Sequence, residues 1–266
     1  MHDALIAVIL FVAGAVISML GSMTGLGGGF LCVPFLVLVW ARDRSNAVLI
    51  SLTMIIANSL SSSITYLRAK MVNLKVFAVL LAPTLPGLFL GLYLLNRMND
   101  AVFDLIFSIL LILVTSYILF KNIKQRAPIA ERLAARKRKG SLLPQYSIPI
   151  AFAAGTASSA FGIGGGALLM PLQVGMLKMN VKRAIATSML LLACMATFRV
   201  FVISMAVSGN YPDPLYAIPL AAGAVLGGQA GAFIVKRAKS KYLLYILAVF
   251  LFFIAIYMFA GAVPRL

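Results

Sequence analysis

Two stretches decide how this chain reads: Gly25-Leu-Gly-Gly-Gly-Phe-Leu-Cys-Val-Pro34 and Gly162-Ile-Gly-Gly-Gly-Ala-Leu-Leu-Met-Pro171. Both place a proline at the same distance beyond a Gly-x-Gly-Gly-Gly cluster, and they lie 137 residues apart. The same offset carries Ala47 onto Ala184 and Ser51 onto Ser188, and an offset of 136 carries Pro83, Gly87 and Gly91 onto Pro219, Gly223 and Gly227. Landmarks that recur in one order read as an internal duplication. The expected units are an N-terminal repeat over 1–120 and a C-terminal repeat over 145–266, joined by a linker over 121–144.

Outward from the clusters the chain is almost continuously apolar, with segments at about 4 to 40, 46 to 67, 74 to 95, 101 to 120, 146 to 177, 183 to 208, 215 to 235 and 242 to 263. Hydrophobic residues make up 62% of the chain and the mean hydropathy is +1.04, more apolar surface than one water-soluble core buries. Runs of about 20 apolar residues span a hydrocarbon core of roughly 30 Å as helix. The expected class is therefore an all-α polytopic membrane protein. Ala4 to Met23 has no Lys or Arg before it and no polar cleavage region after it, so it reads as part of the fold rather than as a secretory signal. Cys32 and Cys194 both fall in apolar segments and read as packing residues.

A net charge of +17 would point to nucleic acid in a soluble protein. Here the bases cluster in the gaps between apolar runs, a pattern that sets orientation and meets anionic lipid headgroups. The linker carries Lys121, Lys124, Arg126, Arg132, Arg136, Lys137, Arg138 and Lys139 against Glu131. Placed in the cytoplasm, it puts Arg68, Lys70, Lys75, Lys178, Lys182, Arg183, Lys236 and Arg237 on the same side, and the base-poor loops near Asp100 and Asp213 outside. Arg42 and Arg44, beside Asp43, fall on the outer side and run against this rule. For Pro144 and Lys178 to share a side, the glycine-bearing segment between them must enter the membrane and return. The expectation is two inverted repeats of about four helical segments each, the first segment of each broken at its Gly-rich motif into a hairpin.

The returning arms, Gly27 to Trp40 and Gly164 to Leu177, are half-helices of roughly 20 Å at about 1.5 Å per residue. Their N-termini present unpaired N–H groups and the positive end of the helix dipole, an arrangement suited to an anion. The candidate binding residues at these tips are Gly27, Gly28, Gly29, Gly164, Gly165 and Gly166. Neither cluster fits a nucleotide fingerprint: both lack the spaced third glycine and the Lys-Ser or Lys-Thr of a phosphate loop. In the helix that follows each arm, Ser51, Asn58 and Ser62 share one face in the first repeat, and Thr187, Ser188 and Arg199 in the second. Arg199 is the one base deep within a segment, where a charge costs at least about 2.5 kcal/mol and so faces a cavity or snorkels to an interface. Pro34, Pro171, Gly87, Gly91, Gly223 and Gly227 read as structural, the glycines through small-xxx-small packing.

The six acids, Asp3, Asp43, Asp100, Asp104, Glu131 and Asp213, sit in loops or at segment ends. That distribution argues against a metal site, an acid–base catalytic pair and a carboxylate-lined cation path. No catalytic residue, cofactor or metal is expected, and the chain does not read as an enzyme.

The paired motifs, together with Ala184-Ile-Ala-Thr-Ser188, resemble the TauE/SafE sulfite exporter family of bacterial inner-membrane transporters over essentially the whole chain. The first repeat departs from the pattern at Leu49-Ile-Ser51. The resemblance implies a secondary transporter in the bacterial cytoplasmic membrane that exports sulfite or organosulfonates such as sulfoacetate. The expected partners are the small anion and membrane lipids, with no nucleic acid, and homo-oligomer formation is left open. A passive anion channel and a non-transporting membrane scaffold remain as alternatives at this stage.

Overall fold

The computed structural model describes residues 2–40, 44–95, 147–161, 166–175, 177–206 and 212–238, with a few single positions beyond them. Every regular element among these is α-helix: α1 (His2–Thr24), α2 (Gly29–Trp40), α3 (Arg44–Arg68), α4 (Leu74–Leu95), α5 (Ser147–Phe161), α6 (Gly166–Gly175), α7 (Val181–Ala206) and α8 (Pro214–Arg237). Five of them contain stretches long and apolar enough to cross a membrane: Ala4–Thr24, Asn46–Arg68, Leu74–Gly91, Val181–Val202 and Pro214–Arg237. The linker over 121–144, and nearly all of the apolar segments 101–120 and 242–263, lie outside the described residues.

Polar side chains set the helix ends. Asp213 accepts from Leu215 N at 3.1 Å and stands ahead of Pro214, so α8 starts with a capped turn and a proline that needs no donor there. Asn73 accepts from Val76 N and Asn180 from Lys182 N, opening α4 and α7 in the same manner. At the end of α3, Lys70 takes φ +53°, with Met71 N bonded to Tyr66 O and Lys70 N to Leu67 O, the left-handed closure that satisfies the last carbonyls.

Large apolar side chains are exposed on the outer helices, while polar ones are buried alongside the apolar core. Leu5, Val8 and Val12 of α1 and Ile218, Leu226 and Phe233 of α8 are exposed. Ser18, Ser22, Ser51, Asn58, Ser59 and Ser62 are buried. Water would drive the apolar residues inward; hydrocarbon removes that drive and penalises exposed polar groups instead. This distribution and the helix lengths establish a multi-pass membrane protein.

Two close helix pairs frame the bundle, α1 with α8 and α4 with α5. Glycines make both possible. A methyl group at Gly223 would collide with Phe11 O and Ala15 N, and one at Gly87 with Phe152 O and Thr156 N. Likewise Gly14 lies against Leu220 O, and Gly155 against Thr84 O. These contacts of one pair recur in the other at fixed offsets, 141 residues between α1 and α5 and 136 between α4 and α8. Gly227 also sits directly on Ala15 O, and Gly91 is buried. Between the two pairs, α3 and α7 pack against each other through Leu52, Ile55 and Ala196.

The short helices end at opposite ends of α8. Trp40, closing α2, meets Tyr216 in the first turn of α8 edge-on at 6.2 Å. At the other end of α8, Lys236 O accepts from Lys182 Nζ at 2.8 Å, just beyond α6.

Candidate functional site

The first glycine cluster folds as a turn that only glycine adopts without strain. Gly25, Gly27 and Gly28 have φ of +77°, +80° and +84°. Gly25 ends α1 in the left-handed conformation, and Leu26 N returns to Gly21 O at 3.0 Å. Helix α2 then begins at Gly29, the third glycine of the run, and Leu31 N and Cys32 N bond to Gly28 O. The helical arm is thus shorter than the sequence spacing predicts, because Gly27 and Gly28 are spent on the reversal. In the second cluster, Gly164 and Gly165 lie outside the described residues and Gly166 is the first residue of α6. Pro34 and Pro171 are each the sixth residue of their helix.

This turn is seated against the two central helices. A methyl group at Gly27 would come 3.2 Å from Leu192 Cδ1 and 3.5 Å from Ile55 Cγ2; one at Gly25 would come 3.1 Å from Ile185 Cα and 3.4 Å from Met170 Cγ. Asn58 Nδ2 donates to Gly27 O at 2.9 Å, tying the turn to α3. Behind Asn58, Gly228 leaves room for its side chain. Ser61 Oγ donates to Val225 O at 2.7 Å and Tyr66 Oη to Ser22 O at 2.9 Å, so α3 is bonded to α8 and α1 as well.

The sequence-predicted polar residues are all buried, but they divide into different kinds. Ser51 donates to Val48 O, Ser62 to Asn58 O and Thr187 to Arg183 O, each within its own helix. Such back-bonding satisfies a hydroxyl hydrogen where no water reaches. Thr187 Oγ1 additionally accepts from Asn73 N at 3.0 Å, anchoring the α3–α4 link to α7. Asn58 serves the glycine turn. Ser188 accepts from Gln173 Nε2 at 2.9 Å.

Arg199 stands apart. It is 4% exposed, and its Nε and Nη1 have no hydrogen-bond partner among the described residues. The adjoining residues Ala196 and Val200 pack with Val48, Leu52 and Ile55. Eleven residues separate it from Ser188, about 16 Å along α7 at roughly 1.5 Å per residue. A small oxyanion is too short to span that distance, so Arg199 and Ser188 do not form one grip.

Gln173 is a buried polar residue that the repeat comparison alone does not single out. It is the only polar side chain in α6, and that isolation within Gly-Ala-Leu-Leu-Met-Pro-Leu-Gln-Val-Gly was the signal available in the sequence. At the bundle end, a pocket of about 360 Å³ is lined by Ala69, Met71, Asn180, Lys182, Arg183 and Lys236. Three cations around one opening attract anions toward it.

Long apolar helices packed around a central glycine turn define a polytopic helical membrane protein. Residues 10–258 match the family described as Sulfite exporter TauE/SafE. The chain belongs to that family, one of membrane transporters. It is 31% identical over 267 residues to the probable membrane transporter protein YunE of Bacillus subtilis, covering 93% of this chain and 95% of that protein. It is also 28% identical over 186 residues to the probable membrane transporter protein MJ0441 of Methanocaldococcus jannaschii, covering 68% and 66% respectively. No solved structure matches.

Proposed function

We propose that this chain is a secondary transporter that exports small sulfur-containing anions, sulfite or organosulfonates such as sulfoacetate, across the bacterial cytoplasmic membrane. The observation that carries the anion is Arg199: a guanidinium buried in an apolar helix, with N–H groups unpartnered among the described residues, is retained where a negative ligand completes it. The family supplies the sulfur chemistry.

In this reading residues 1–120 and 145–266 form two inverted repeats, with the linker 121–144 cytoplasmic. Support comes from the contacts that recur at fixed offsets and from α2 and α6 ending at opposite ends of α8. The glycine clusters then form hairpin tips near the midplane, where Gly27, Gly28, Gly29, Gly164, Gly165 and Gly166 offer backbone N–H groups. Arg199 lies on one side of the Ile55–Leu192 waist that Gly27 touches, and Ser188 on the other. The anion meets them in succession as the repeats rock. Lys182, Arg183 and Lys236 gather it at the cytoplasmic mouth. Ser51, Asn58, Ser62 and Thr187 line or hold the path, with most of their own hydrogen-bonding met internally.

Proteoliposomes loaded with sulfite test this directly. Flux is expected with the intact chain and is expected to fall with Arg199→Gln at unchanged protein folding. Equal flux from empty liposomes, or from both proteins, would falsify the assignment.

A further inference from the structure

The two repeats also differ at one buried pair. At the 137-residue offset, Leu36 corresponds to Gln173 and Ser51 to Ser188. Leu36 is fully buried, and Ser51 donates back to its own helix. In the second repeat the apolar residue is replaced by an amide, and Ser188 is drawn out of back-bonding: its Oγ accepts from Gln173 Nε2. Its own hydroxyl hydrogen has no acceptor among the described residues. Gln173 Oε1, on a side chain of zero exposure, has no donor there either.

With Gln173 donating to Ser188 through Nε2, its Oε1 and the Ser188 O–H are both left for a third group to complete. A buried polar atom left without a partner costs about 1–3 kcal/mol, so the pair is stable where a ligand completes it. The pair also lies next to the glycine turn. Gly25 contacts Met170 and Ile185, three residues before Gln173 and Ser188 on their respective helices, which is one helical turn away on the same face.

We propose that Gln173 and Ser188 select, among the anions this transporter handles, an oxyanion that keeps one hydrogen. Ser188 O–H donates to a bare oxygen of the ligand, and Gln173 Oε1 accepts from the ligand's remaining O–H. Both bonds form at once only with a monoprotonated oxyanion such as hydrogen sulfite. A fully deprotonated oxyanion sets an oxygen against Gln173 Oε1, and two acceptors repel. This selection rests on the transport reading above. It concerns recognition and leaves the charge attraction to Arg199.

The test is anion binding by the purified full-length chain, read by calorimetry and thermal shift across mildly acidic to mildly alkaline pH, with sulfite, sulfate and methanesulfonate as probes. Sulfite is expected to bind most tightly at the acidic end, where the hydrogen-bearing form prevails, and sulfate and methanesulfonate to bind weakly throughout. Gln173→Leu, which installs the residue that the first repeat carries at this place, is expected to loosen sulfite about tenfold and flatten its pH dependence, the loss of one hydrogen bond to a buried neutral group. Sulfate bound by the native chain as tightly as sulfite at every pH overturns the selection, whether or not the variant folds. Unchanged affinity and pH profile in folded Gln173→Leu also overturn it, while leaving transport intact. Absence of binding for all three anions to the native chain overturns the transport reading and this inference together.

Discussion

The central helices α3 and α7 make the instructive comparison. Both cross the middle of the bundle and meet at Leu52, Ile55 and Ala196, yet their polar residues do different things. On α3, Ser51 and Ser62 close onto their own carbonyls and Asn58 holds the glycine turn. The corresponding places on α7 carry Ser188, Arg199 and Met195. There the serine bonds across to Gln173, and the arginine Nε and Nη1 have no partner among the described residues. Ser18 and Ser159, by contrast, correspond to each other and are alike in being buried without a partner among the described residues. The glycine contacts of the outer helix pairs are likewise repeated. Packing contacts thus recur at fixed offsets while the polar chemistry differs: among the described residues α3 leaves only neutral groups unpartnered, Asn58 Oδ1 and Ser63 Oγ, whereas α7 leaves a guanidinium, the group suited to an anion.

The largest effect is expected where the copies agree. Gly223→Leu and Gly87→Leu each drive a side chain into the backbone of the facing helix, at Phe11 O and Phe152 O. Backbone cannot step aside as a side chain tip can. Each variant is expected to lose about 3 kcal/mol or more, read as loss of the monodisperse peak in detergent and a collapsed melting temperature. If one glycine tolerates leucine and the other does not, the frame is less symmetric than the contacts imply.

Next comes the sharpest disagreement between the copies. Arg199→Met keeps an unbranched side chain of similar bulk in the buried place. Losing a charge-assisted hydrogen bond to the anion removes roughly 1.5–3 kcal/mol of binding, about 10- to 100-fold in flux at low substrate. The melting temperature is expected not to fall, because a buried charge without a protein partner contributes little to the fold. A variant that transports normally but melts lower would make Arg199 a structural residue and return the anion site to the glycine turns.

Much of this was legible in the sequence, because a bilayer imposes its requirements on composition. Runs at 46–67, 74–95, 183–208 and 215–235 became α3, α4, α7 and α8 to within about two residues, since twenty apolar residues in a row have few other uses. The break after Thr24 was legible for a different reason: consecutive glycines forfeit helix stability and permit positive φ. What the sequence hid was pairing. Ser51 and Ser188 look identical as letters, and only the neighbour across the helix, Leu36 or Gln173, decides which hydroxyl is used up internally. The separation of Ser188 from Arg199 was legible, because eleven residues of helix at about 1.5 Å each place them about 16 Å apart even on a shared face. The roles of Gly21, Gly155 and Gly228 were missed too, because each depends on which group lies opposite.

A smaller effect separates holding the turn from touching the anion. Asn58→Met places on α3 the residue that α7 carries at the corresponding position, and it leaves Gly27 O without its 2.9 Å donor. The expected loss is about 1–2 kcal/mol of stability, seen as a lower melting temperature, with anion affinity changed less than by Arg199→Met. The reverse order would place Asn58 in direct contact with the ligand.

The smallest effect is expected at Ser51 and Ser62. Each hydroxyl donates to a carbonyl three or four residues back that the helix also uses, so removing it deletes one donor and leaves no buried partner wholly unmet. Ser51→Ala and Ser62→Ala are each expected to stay within about 0.5 kcal/mol of the native stability and within about twofold of the native flux. Ser188→Ala is the control, since there the hydroxyl is the acceptor for Gln173 and its loss strands a second buried group. If Ser51→Ala impairs transport as much as Ser188→Ala, back-bonding does not silence a serine in this bundle. The first copy would then share the binding work that the comparison of α3 with α7 assigns to the second.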